Sequence, residues 1–174
     1  MKHFQRVSVA LLLCSLLAGC GFKLRGSPAL PADIDYIAVQ SARPHAPLQR
    51  ALIKRLDVYG LKGGSTDGAA SATNPVIIQL YPEALERRLL SVYPSGQVAE
   101  YELIFGVNYT VTFNGEQPVT AYFEVLRDYQ DDPDQVLAKS RELDLVLSEM
   151  REEAADRILR RLPTQAAALA TDND

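Results

Sequence analysis

The sequence predicts an α+β domain: a two-layer sandwich whose sheet of about four strands, with long antiparallel members, carries two helices on one face in the order β-α-β-β-β-α. Three observations carry that prediction. Tyr101, Leu103, Phe105, Val107, Tyr109, Val111 and Phe113 fall on every second position, the period of a strand with one buried face. Leu48, Leu52, Leu56 and Tyr59 recur at intervals of four, four and three, and Leu143, Leu147, Met150, Ala154 and Ile158 at four, three, four and four, the period of a helix buried on one side.

The chain starts with a segment that is not part of this domain. Lys2 and Arg6 make a cationic start, and Val7 to Leu17 is an apolar run of eleven residues broken by Ser8, Cys14 and Ser15. That is too short to span a bilayer. With the small residues Ala18 and Gly19 ahead of Cys20, residues 1–19 read as a secretory signal. Leu17-Ala18-Gly19-Cys20 resembles the lipobox of bacterial lipoproteins, which would make Cys20 the lipid attachment site and the first mature residue. The plainer alternative is an ordinary cleavage site beside an incidental cysteine. Cys14 leaves with the signal, so the mature chain has no internal disulfide. Several acyl chains on one residue anchor a protein stably to a membrane without inserting it. Gly21 stands where the inner-membrane retention signal of enterobacterial lipoproteins is Asp, and so resembles the pattern sorted to the outer membrane.

Residues 20–33 read as a leash, with Gly21, Gly26, Pro28 and Pro31 interrupting any pattern. A short strand follows at Tyr36 to Val39. Pro44 and Pro47 mark the start of the first helix and Gly60 its end. Lys62 to Asn74, with three Gly, two Ser and two Thr, reads as a flexible loop. Val76, Ile78 and Leu80 open a strand whose apolar frame shifts after Pro82 to Leu85 and Leu89, which predicts a bulge or kink there. Pro94-Ser95-Gly96 turns into the long strand, which from Val98 to Phe113 would run roughly 50 Å. Asn114-Gly115 signals a hairpin, and Tyr122 to Tyr129 carries the chain back. Asp131-Asp132-Pro133-Asp134 ends the sheet, and Pro163 is expected to stop the second helix after Leu162. The expected organisation is a single domain over residues 34–163 and a mobile tail from Thr164 to Asp174.

Composition narrows the function classes. Loss of Lys2 and Arg6 takes the formal charge from −4 to −6, which argues against nucleic acid as a partner. Glu100, Glu102, Asn108, Thr110 and Thr112 give the long strand a wet second face, yet three long strands with two helices do not make a transmembrane barrel. His45 has no cysteine beside it for a metal site, and Ser95 lacks a nucleophile-elbow context. Asp131 to Asp134 suit turn and cap roles better than a calcium loop or a catalytic pair. No enzyme, metal site or cofactor is indicated.

Three segments in order resemble the LPS-assembly lipoprotein LptE family: Cys20-Gly21-Phe22-Lys23-Leu24-Arg25-Gly26, then Gly96-Gln97-Val98-Ala99-Glu100-Tyr101, then Val136-Leu137-Ala138-Lys139 with Glu149-Met150 and Ile158-Leu159-Arg160-Arg161-Leu162. The resemblance implies a non-catalytic outer-membrane lipoprotein that plugs the LptD barrel, binds lipopolysaccharide and assists its assembly into the outer leaflet. It implies basic residues for the glycolipid phosphates, and Lys139 matches one such position. The other falls on Pro94, where relatives can carry Arg, and Arg87 and Arg88 lie nearby in sequence. An envelope lipoprotein that scaffolds without binding glycolipid is the alternative.

Overall fold

The computed structural model describes Arg6, Gly26, Pro28, Leu30, Pro31 and residues 34–172. The readings made of Cys20 and of the apolar signal run lie outside the described residues.

Alternating apolar residues start the sheet. Strand β1, Tyr36–Ser41, buries Ile37 and Val39, and β3, Pro75–Leu80, buries Val76, Ile78 and Leu80. The two run parallel, with Ile37 opposite Val76 and Val39 opposite Ile78. Parallel neighbours need a crossover, and helix α1, Pro47–Val58, supplies it. Its Leu48, Leu52 and Leu56 are buried, as their spacing predicts. The segment expected to be a flexible loop is ordered instead: Gly63–Gly64 forms a short strand, β2, parallel to β1, and Thr66–Ser71 forms a 3₁₀ helix. Composition hid this because the glycines are there for closeness. A Cβ at Gly68 would run into the Tyr36 ring.

Strand β5, Val98–Thr112, is the spine of the sheet. One of its edges pairs with β6, Val119–Gln130, from Glu100 opposite Gln130 to Val111 opposite Val119. The other edge is shared. Tyr109 to Thr112 pair with β3, and Val98 to Gly106 with β4, Ala84–Val92. The kink expected at Pro82 is this break between β3 and β4, and a further register shift follows Leu89. The sheet therefore has six strands where about four were expected, because the kinked strand counts twice and β2 was not legible.

Helix α2, Val136–Asp172, packs beside α1 over the buried face, with Met150, Ala154, Ile158 and Leu162 fully inside. The expected stop at Pro163 is wrong. Proline deprives the Leu159 carbonyl of its usual donor, yet the helix runs on to Asp172, and Ala166 and Leu169 pack against the core. Tertiary burial outweighs the lost hydrogen bond, so the tail expected from Thr164 onward is helical through Asp172.

A second correction concerns the outer face of β5. Phe105 is buried as expected, but Thr110, expected to be wet, is only 9% exposed. Its hydroxyl lies 3.1 Å from that of Thr120 and within 3.4 Å of the Tyr81 hydroxyl. Gly106 is covered by Tyr122. Asn108 is exposed, while Glu100, Glu102 and Thr112 are half-buried.

Glu83, in the break between β3 and β4, ties the layers together. Its carboxylate accepts the Leu48 backbone N–H at 2.9 Å and pairs with Arg151 at 3.0 Å. The residue before α1, Ala46, has no side chain able to cap the helix, so a carboxylate distant in sequence does so.

Candidate functional site

The open end of the sheet, where β4 ends beside the start of β5, β6 ends and α2 starts, gathers the basic residues singled out in the sequence. Strand register decides which of them share a face. Leu85, Arg87 and Leu89 lie opposite Phe105, Leu103 and Tyr101, so all three are on the helix side. Tyr101 lies opposite Tyr129. The Arg87 guanidinium is 6.0 Å from the centre of the Tyr101 ring. The Lys139 ammonium is 4.9 Å from the centre of the Tyr129 ring. Two cations thus stand on two neighbouring aromatic rings.

Lys139 is held in place from both ends. Its carbonyl accepts the Tyr129 hydroxyl at 2.6 Å, and its ammonium pairs with Glu142 at 2.8 Å. The hydrogen bond to Glu142 raises the lysine pKa, against a smaller opposing effect of desolvation. Burial raises the Tyr129 pKa, while the charges of Lys139 and Arg87 pull it the other way. The field of both cations therefore reaches the same phenol. Lys139 has 16% of its side chain exposed and is charged and positioned; Arg87 is exposed and makes no ion pair among the described residues.

Arg88 does not join them. It points to the opposite face and pairs with Glu102. Adjacent residues in a strand face opposite ways, so the two neighbouring arginines cannot form one clamp. Pro94 sits exposed in the turn between β4 and β5, with Gly96 beside it at φ +83°. No cation stands at Pro94, and of the two neighbouring arginines it is Arg87 that shares a face with Lys139. Sequence reading missed Tyr101 and Tyr129 as the platform. Their signal was there: each is an aromatic in phase with its strand's buried face.

Apolar side chains border the cations. Leu85 is 39% exposed and Leu89 53%, and Val136 and Leu137 in the first turn of α2 are more exposed still. The corner combines positive charge, aromatic faces and solvated aliphatic surface, which suits an amphipathic anion. The neighbouring aspartates serve the turn: Asp131 and Asp132 accept the N–H groups of Asp132 and Asp134, and Gln135 donates to Asp132 at 2.7 Å. Among the described residues no helix is long and apolar enough to cross a membrane.

The family model described as LptE, Lipopolysaccharide-assembly, matches residues 34–162. The LPS-assembly lipoprotein LptE of Pectobacterium atrosepticum is 32% identical over 164 residues, covering 94% of this chain and 88% of its own length. That of Photorhabdus laumondii is 32% identical over 169 residues with the same coverage. The crystal structure of rare lipoprotein B from Shewanella oneidensis superposes with a TM-score of 0.66 at 37% identity, covering 78% of this chain and 98% of that one.

Proposed function

Because this chain belongs to the LptE family of lipopolysaccharide-assembly lipoproteins, we propose that it is anchored through Cys20 to the outer membrane, plugs the LptD barrel, and binds lipopolysaccharide at the corner of Arg87 and Lys139. The observation that carries the glycolipid reading is the pair of cations mounted on Tyr101 and Tyr129 beside exposed leucines. Lipopolysaccharide offers phosphates to the cations and acyl chains to the aliphatic surface. The function is binding and placement, with no bond made or broken.

The plug reading draws on the other face of the sheet. Glu102, Asn108, Glu124 and Asp128 share that face with Tyr81, Tyr122 and Leu126. A mixed surface of this kind suits the hydrated lumen of a barrel, where contacts are polar and bridged by water.

Purification of the tagged mature protein from solubilised outer membrane tests both claims. A stoichiometric barrel partner and an acylated N-terminal Cys20 in the mass spectrum are expected. A lone lipoprotein that retains no lipopolysaccharide would favour the scaffold alternative.

A further inference from the structure

The two edges of the sheet are treated differently. At the β6 edge, the Glu124 carbonyl accepts Arg157 at 2.8 Å and the Leu126 carbonyl accepts Arg127 at 3.2 Å. Guanidinium groups therefore close that edge to a further strand. These two carbonyls point away from β5, so the β5 residues opposite them, Gly106 and Ile104, direct their own backbone groups toward β4. The bond from the Tyr81 N–H to the Asn108 carbonyl follows the same phase. Ala84 and Glu86 face Gly106 and Ile104, so the intervening Leu85, Arg87 and Leu89 turn their N–H and C=O groups to the open edge of β4. Among the described residues, no strand pairs with that edge and no side chain caps it.

The open edge is also shaped. It continues the line of β1 beyond Ser41, because β1 pairs with β3 on that side and β4 follows β3 along β5. At the junction lies a cavity of about 310 Å³ whose walls include Ala42, Pro47, Leu48, Leu80 and Pro82. At the far end Leu89, Leu90 and Val92 are each about half exposed. Strands with such an edge recruit an extended segment, main-chain bonds giving affinity and pockets giving selectivity.

We propose that the open edge of β4 takes an extended segment of a different polypeptide as an added strand, with a carboxylate opposite Arg88 and a bulky apolar side chain in the cavity beside Pro82. Arg88 already pairs with Glu102 on one side and is 62% exposed, so a carboxylate on the other side completes an acid-base-acid row across three strands. A second copy of this chain fits poorly. Antiparallel pairing about the middle of β4 would set Arg88 against Arg88, or Arg87 against Arg87, like charges directly opposite. This inference uses the backbone edge and the outer face, and is independent of the glycolipid reading.

The test is hydrogen exchange on the full mature chain with a blocked probe peptide of about eight residues, a usual strand length. The probe alternates valine with threonine, carries one central aspartate and ends in phenylalanine; its sequence-reversed form covers the other strand direction. Expected is about tenfold slower exchange at the amides of Leu85, Arg87 and Leu89, weakened when lysine replaces the aspartate and lost when alternate probe amides are N-methylated. Leu85→Pro should keep the fold, because the lost N–H faces solvent, and should lose the protection. No protection by either probe, or protection confined to β6, would overturn the proposal. So would slow exchange at the three amides without probe: if it rises with chain concentration the occupant is a second copy, and if it does not the chain covers its own edge. Protection by lipopolysaccharide alone would reassign the edge to glycolipid.

Discussion

The Tyr129 hydroxyl donates to the Lys139 carbonyl at 2.6 Å while the Lys139 ammonium rests 4.9 Å from the centre of the Tyr129 ring. One phenol therefore fixes both the backbone at the start of α2 and the charge it presents. Tyr129→Phe keeps the ring and removes the bond, and should cost about 1 kcal/mol of stability. Chemical denaturation measures this. A midpoint equal to wild type would mean that water replaces the hydroxyl without loss.

Glu83 should matter more than its place in a strand break implies. Glu83→Ala strips the Leu48 N–H of its acceptor and leaves Arg151 without its carboxylate. A loss of about 1–3 kcal/mol is expected, with a double-mutant cycle against Arg151→Ala showing coupling. Simple additivity in that cycle would place the effect of Glu83 in capping alone.

Deleting residues 164–174 discriminates between the helix observed and the mobile tail read from sequence. Ala166 and Leu169 pack against the core, so truncation after Pro163 should destabilise by about 1–3 kcal/mol. An unchanged thermal midpoint would restore the tail reading.

Asp35 predicts a pH signature. Its carboxylate accepts the backbone N–H groups of Thr73 at 2.7 Å and Asn74 at 3.0 Å. These bonds, Thr73 foremost, lower its pKa below the ordinary aspartate value, with desolvation opposing. A depressed folded pKa means stability that is full above the ordinary value and lost as pH falls through the folded one. Asp35→Asn should flatten that acid limb of the stability curve. An identical limb in the variant would assign it to other carboxylates.

Much of this fold was legible because burial and period coincide. Ile37, Leu52, Phe105 and Ile158 are where their spacing puts them. What was not legible depends on partners distant in sequence. Pro163 reads as a stop until the core beneath Leu162 and Leu169 is known, and Thr110 reads as wet until Tyr81 is seen over it. At the candidate site, Lys139 and the two arginines were visible as cations. Only strand register separates Arg87 from Arg88, and only the pairing of Tyr101 with Tyr129 brings Arg87 toward Lys139.

The most direct test of the central claim is equilibrium binding of purified lipopolysaccharide to the soluble chain beginning after Cys20, compared for wild type, Arg87→Glu, Lys139→Glu, the double variant and Arg88→Glu. Binding by wild type is predicted, with about a tenfold loss for each of the first two single reversals, a further loss in the double variant, little change for Arg88→Glu, and thermal midpoints close to wild type throughout. Wild-type affinity in the double variant, or equal losses for Arg87→Glu and Arg88→Glu, would contradict a glycolipid site built on Tyr101 and Tyr129.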